Sequence, residues 1–382
     1  MHRRLVPFWL PLHLAIVAGC SLIVNESAQP ESNQLQDDQP QNAEPTAAPS
    51  SDSAGRATET RNGCDGKRAN PAGSGYYVQG LKVYDPDDCL FLARGFTTAM
   101  YYSVRPSNID EPTTVEDQYE SIDAIARSGA NTVRLLVSTN DFVTMEPDYW
   151  NNDVPTHRAL VERALKAKLA TILTLRTYTC QASSSSAAAW SITTGYWLSN
   201  DVIDLLLDHP TLWLEISHRH DIPDQLDWRD SYAGLIKRLR KQGVHNLLVI
   251  DAAGDCGQDT ATLLRFGSEL QKEDPDHNLL FGLSLEDHYK STETVTMTLN
   301  ELSGAGLPVH ISGFSWNIPM SERIHYDPIT FLNRAEELRL GWTFHAWFGP
   351  RAHERAVTGP PFDLDIEALP WTEAGLALLR QF

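Results

Sequence analysis

Short apolar runs rich in β-branched residues alternate with stretches of helical periodicity from Phe91 to the C-terminus, and this alternation most constrains the fold. A buried strand followed by an amphipathic helix is a βα unit, and repeating it commits a chain to a parallel sheet covered by helices. After a hairpin at Tyr76–Asp85, the strands read as Phe91–Phe96, Thr132–Val137, Ala170–Leu175 and Leu212–Ser217. Four more follow at Leu247–Asp251, Leu279–Leu283, Val309–Ser312 and Trp342–Phe344. Amphipathic intervals include Val115–Arg127, His157–Leu169, Trp228–Lys241 and Ile329–Leu338. Eight strands with eight helical intervals predict an α/β fold, a (β/α)8 TIM barrel with a short N-terminal hairpin. Ser183–Ala189 is low-complexity and follows the third strand, which places it as a loop on the face where barrel sites are built.

The N-terminus reads differently. Arg3 and Arg4 precede an apolar run from Leu5 to Val17, then Val17-Ala18-Gly19-Cys20. A basic start, a short apolar core and small residues before the break are the parts of an export signal. Cys20 directly after Ala-Gly resembles the bacterial lipobox, which implies a signal over residues 1–19 and lipidation at Cys20; an ordinary export signal with an unlipidated cysteine is the alternative. Ser21 follows, so no inner-membrane retention aspartate is present, and the expected location is the bacterial cell envelope, lipid-anchored at the outer membrane. No other apolar run approaches the ~20 residues needed to span a bilayer. Residues 20–74 are rich in Ser, Gln, Asn, Pro, Ala and acid and read as a disordered polar linker, because such a stretch cannot bury enough apolar surface to offset its ordering entropy. The folded domain is expected over residues 75–382.

Four cysteines remain after Cys20: Cys64, Cys89, Cys180 and Cys256. An even count in an exported chain argues for two disulfides. Of the three possible pairings, Cys64–Cys89 would pin the linker to the hairpin, and Cys180–Cys256 would join the ends of the third and fifth strands. Metal binding is the weaker reading, since no Cys-x-x-Cys or Cys/His cluster appears, and nothing calls for a cofactor. The net charge is −19, and loss of Arg3 and Arg4 with residues 1–19 leaves −21. That balance argues against nucleic acid as a partner.

Several segments together resemble bacterial β-mannanases of glycoside hydrolase family 5. Gly75–Phe96 (GYYVQGLKVYDPDDCLFLARGF) is similar to the family's opening, and Gly129–Leu136 (GANTVRLL) to its second strand. Tyr196–Ser217 (YWLSNDVIDLLLDHPTLWLEIS) resembles its third helix and fourth strand, Asn246–Gly254 its fifth strand, and Gly341–Gly349 (GWTFHAWFG) its eighth. The likeness runs from about Gly75 to Phe382.

The resemblance implies two glutamates, an acid/base and a nucleophile, and neither is present. Retaining enzymes hold such a pair about 5–5.5 Å apart. In LWLEISHRHD, His218 falls at the family's asparagine and Arg219 at the acid/base. An arginine, with a pKa above about 12, cannot donate and recover a proton at neutral pH. In HISGFS, Ser312 falls at a glycine and Gly313 at the nucleophile, where there is no side chain to attack with. The sugar-binding shell implied by the family also differs: Arg176 and Ser284 replace histidines, Glu286 a tyrosine and His345 a tryptophan, while Arg134 is retained.

Arg134 loses its expected partner at position 313, and a buried unpaired charge costs several kcal/mol; Glu286 is the expected replacement. Glu215 lies four residues before Arg219 on the same side of the strand and reads as a core hydrogen-bonding residue. The candidate ligand-binding set is Arg134, Arg176, His218, Arg219, Glu286, Trp316, His345 and Trp347. Its arginines and histidines could form a basic cup suited to a carboxylate or phosphate, as on a uronic acid, and aromatic faces such as Tyr101, Tyr102, Trp190, Trp316 and Trp347 suit sugar rings; Trp197 reads as core. Asp221, Glu286 and Asp287 are the nearby carboxylates that could support a displaced mechanism, but nothing in their spacing pairs them.

The expected function is a non-catalytic, glycosidase-like surface lipoprotein that binds poly- or oligosaccharide, anionic saccharide included, in the former cleft. One alternative is an active glycoside hydrolase with displaced carboxylates. Another is an envelope interaction protein in which the barrel is a rigid scaffold.

Overall fold

A computed structural model describes residues 64–98, 101–102, 115–138, 154–176, 186–218, 225–254, 257–285, 289, 291–314, 327–347, 356 and 372–382. All of them lie in one compact unit, Thr58–Phe382. The strands are β1 (Tyr77–Gln79), β2 (Lys82–Tyr84), β3 (Leu90–Phe91), β4 (Arg94–Thr97), β5 (Tyr101–Tyr102) and β6 (Thr132–Ser138). They continue with β7 (Ala170–Arg176), β8 (Trp213–Glu215), β9 (Leu248–Asp251), β10 (Leu279–Leu285), β11 (Val309–Phe314) and β12 (Gly341–His345).

Strands β6 to β12 pair in sequence order, all parallel, and β4 closes the ring by pairing with both β12 and β6. Eight parallel strands without a free edge make the expected (β/α)8 barrel. The short β5 continues alongside the end of β6. The expected hairpin is β1 with β2, and β3 adds a third strand to that small sheet. The disulfide Cys64–Cys89 ties the segment before β1 to the loop before β3. Cys180 and Cys256 lie outside the described residues.

The helices are α1 (Val115–Arg127), α2 (Val154–Lys166), α3 (Ser186–Trp197), α4 (Asn200–Asp208) and α5 (Gln225–Lys241), then α6 (Thr260–Glu273), α7 (Thr292–Gly304), α8 (Pro328–Leu338) and α9 (Glu373–Leu379). Their ends follow local chemistry. Asp327 caps α8 by accepting from the Ile329 and Thr330 amides, and Pro328 occupies the first turn, where a missing N–H costs nothing. No helix among the described residues is long and apolar enough to cross a membrane.

Period-two alternation divides each barrel strand between two cores. Outward residues such as Val133, Leu173, Leu214, Ile250 and Phe281 pack under the helices in the main core. Inward residues at the strands' N-terminal ends, among them Ile172, Trp213, Val249 and Leu280, form a second core that meets the hairpin sheet through Val78, Val83 and Phe91. Two indoles fix the strands that carry the site. Trp197 Nε1 donates to the Ile216 carbonyl at 2.7 Å, and Trp228 Nε1 donates to the Asp251 carbonyl at 3.1 Å. Trp197 is fully buried, as the sequence predicts.

Candidate functional site

Farther along the strands, the inward positions turn from apolar to polar. β6 contributes Arg134, β7 Thr174, β8 Glu215 with His218 just beyond it, and β9 Asp251. Arg134 and Glu215 are fully buried. Arg134 donates from Nε to Glu215 Oε2 at 2.6 Å and from Nη2 to Oε1, a bidentate pair. Thr174 Oγ1 donates to the same carboxylate at 2.8 Å, and Arg134 Nη1 reaches Thr97 Oγ1 at 3.5 Å.

Among the described residues the carboxylate partner of Arg134 is Glu215; Glu286, the expected replacement, lies outside them. The reason is geometric. Both side chains point inward in the barrel's polar layer, so a long guanidinium reaches a carboxylate two strands away.

His218 sits above this pair. Its Nδ1 is 2.8 Å from Arg134 Nη2 and 3.4 Å from both Glu215 Oε1 and Asp251 Oδ2. Nδ1 thus lies between the guanidinium and the two carboxylates. Burial pushes the Glu215 carboxyl up, but the Arg134 charge and the contacts with His218 outweigh it and hold the group well below the usual carboxylate range.

Donor atoms of Glu215, His218 and Asp251 lie within 4.8 Å of one another. The two carboxylates thus approach the ~5–5.5 Å separation of a retaining glycosidase, but separation alone does not make a hydrolytic pair. Both are buried, and Glu215 is held ionised by Arg134, whereas a general acid must carry its proton at the working pH. The same three residues carry metal-ligand atoms. Arg134 already engages Glu215 and His218 Nδ1, and its positive charge opposes a cation there. The cluster is an ion-pair network.

Gly313 lies at the mouth, on β11. Between Leu283 and Ser284 the register with β11 shifts by one residue, from Ile311 to Gly313. This bulge turns position 313 toward the inward residues Ser284 and His345. A Cβ built on Gly313 would meet the His345 Cβ at 3.6 Å and Ser284 Oγ at 4.0 Å, ordinary contacts. Among the described residues, neither backbone conformation nor crowding requires glycine there. Gly282 is the opposite case: a Cβ would come within 2.2 Å of Asp251 Oδ1 and 2.7 Å of Ser312 Oγ, so its absence makes room for the polar layer.

The structure brings together only part of the candidate set. Arg134 and His218, 0% and 3% exposed, are floor residues beneath any cleft, not the wall of an open cup. Arg176 and His345 are half-buried at the ends of β7 and β12. Trp347 departs from the cleft-side expectation: its amide donates to the Thr97 carbonyl, which lays the ring against Phe96 in the core, fully buried. Trp190 packs edge-on against Tyr232 of α5. Arg219, Trp316, Asp221 and Asp287 lie outside the described residues, and Tyr101 and Tyr102 form β5. Sequence reasoning missed Asp251; the signal available was an acid at an inward position of an otherwise apolar strand, Leu248–Asp251.

The chain is 25% identical to a mannan endo-1,4-beta-mannosidase of Salipaludibacillus agaradhaerens over 280 residues, 72% of this chain and 82% of that protein. The catalytic domain of a mannanase from Streptomyces sp. SirexAA-E superposes with a TM-score of 0.64 at 23% identity, covering 80% of this chain and 90% of that one. The fold is that of the β-mannanases. A β-mannanase from Streptomyces thermolilacinus with mannohexaose gives a TM-score of 0.63 at 23% identity, over 81% of this chain and 96% of that one. No protein-family profile matches the chain. On this β-mannanase-type barrel, Gly313 marks the end of the seventh barrel strand and His218 follows the fourth.

Proposed function

We propose that this protein is a non-catalytic, β-mannanase-like barrel that binds poly- or oligosaccharide in the cleft at the strands' C-terminal ends. The observation that carries the reading is Gly313: the position that the family resemblance gives to the nucleophile bears no side chain, although a Cβ there would make only ordinary contacts with the described residues. Support comes also from Glu215 and Asp251, two closely spaced carboxylates that are buried, with Glu215 committed to Arg134. The saccharide contacts then fall to Arg176 and His345 at the strand ends, and to Arg219, Glu286 and Trp316, which lie outside the described residues and are candidates from the sequence. Arginines there favour saccharides bearing carboxylates. The lipobox-like Cys20 supports display of this barrel from the bacterial envelope on a polar linker.

The test is a binding and turnover screen of the full chain against mannohexaose, cello-oligosaccharides and uronate-containing oligomers. The expected result is binding without release of reducing ends, weakened at least several-fold by Arg219→Ala or Arg176→Ala. Hydrolysis by the wild type overturns the reading in favour of an active glycosidase. Silence on every saccharide overturns it in favour of a rigid scaffold for protein contacts.

A further inference from the structure

At the other end of the barrel, two polar rings are buried without hydrogen-bond partners. His310, the second residue of β11, is 1% exposed, and among the described residues neither Nδ1 nor Nε2 has a hydrogen-bond partner. Trp213, the first residue of β8, is equally buried, and its Nε1 also lacks one. The rings meet edge-on with centroids 6.0 Å apart. Buried polar groups in folded proteins are nearly always satisfied, and where no protein group serves them an ordered water commonly does.

Both rings line a cavity of about 10 Å³ between the barrel base and the hairpin sheet, whose other walls include Leu81, Val83, Phe91 and Leu280. That space is about the least that can hold a water molecule. We propose that a single water occupies this cavity, accepting from Trp213 Nε1 and donating to a ring nitrogen of His310. The chemistry selects water over other small species. The indole N–H requires an acceptor, and the imidazole, kept neutral by burial, offers an acceptor nitrogen to a donor. A metal ion would confront the indole N–H and the Arg339 guanidinium, which also lines the space, and a molecule much larger than water would exceed the volume. Gly341 helps keep the space open, since a Cβ there would come within 2.9 Å of the Ala93 Cβ and 3.1 Å of His310 Nδ1. The water joins β8 and β11 directly beneath the hairpin sheet.

The test is a protein–water NOE measurement on the full chain labelled with 15N at tryptophan, with the Trp213 indole signal assigned through Trp213→Phe. The expected result is a cross-peak between the Trp213 indole proton and water, with the sign of a slowly tumbling pair. It should disappear in His310→Phe while the other indole signals stay in place. An absent cross-peak in the wild type, with the indole proton shifted upfield by the imidazole ring, overturns the proposal in favour of a direct N–H···π contact. A cross-peak that survives His310→Phe overturns the bridge. If His310→Phe does not fold, a crystal structure of the wild type decides, by density within about 3.2 Å of both rings or by its absence.

Discussion

Arg134 and Glu215 face each other across two strand intervals of the barrel and share two parallel hydrogen bonds, both side chains at zero exposure. Such a pair contributes little net stability, because desolvating two charges offsets most of their attraction, yet breaking it is expensive. Glu215→Gln is therefore expected to destabilise the fold by about 3–5 kcal/mol, since it leaves a buried guanidinium without a counter-charge. The double variant Arg134→Met/Glu215→Leu should lose much less than the sum of the single changes. Urea denaturation of the wild type, Arg134→Met, Glu215→Leu and the double variant measures the coupling, and additive losses would remove the pair from its assigned role.

Gly313 invites the opposite experiment. Gly313→Glu should fold with a stability change within about 1 kcal/mol, because its Cβ finds only ordinary contacts. Gly95→Ala should be severely destabilising by comparison, as its Cβ would lie 1.8 Å from the Thr132 carbonyl oxygen. Melting temperatures of the two variants make the comparison. Gly313→Glu alone should release no reducing sugar from mannan, for Arg219 still stands where a proton donor is needed.

Two buried histidines set an acid limit on stability. Burial lowers both His157 and His310 from an ordinary value of 6.5 to about 3; at His310 the nearby Glu215 opposes the shift and Arg134 adds to it. Each depressed value favours the neutral ring in the native state. The stability is fully present above pH 6.5 and is lost as pH falls from there toward 3. Each full shift corresponds to on the order of 5 kcal/mol at its limit. Glu215, held low by Arg134, adds a loss in the same direction. Denaturation midpoints between pH 7 and pH 4 should fall steeply, and His310→Leu should flatten the slope. An unchanged slope in that variant would show that His310 is protonated without cost.

Cys64 and Cys89 close a loop over 25 positions, which corresponds to roughly 3 kcal/mol of chain entropy removed from the unfolded state. Cys64→Ser/Cys89→Ser is expected to lower the melting temperature by several degrees. Limited proteolysis should then gain a cut between Cys64 and β1 that the wild type resists, in the segment where Asn70 donates to Asp276 at 2.6 Å. Cleavage elsewhere would place the disulfide's effect outside that segment.

The barrel was legible in the linear chain because strand and helix periodicity are local properties. All eight expected strands recur in the barrel, with ends shifted by up to three residues, and α1 coincides with the expected Val115–Arg127. The missing side chain at position 313 was equally legible, since a residue's identity needs no coordinates. The partner of Arg134 was not: Glu215 lies 81 positions away, and inward parity alone could not choose between it and an acid at the end of another strand. Trp347 shows the same limit. Its position just past the eighth barrel strand suggested the cleft, but the hydrogen bond from its amide to Thr97 carries the ring to Phe96 instead. Sequence determined which elements form and which residues stand at each strand's end. Tertiary structure decided which charges meet and which rings are buried, because those depend on how a closed sheet with staggered strands brings distant positions into one layer.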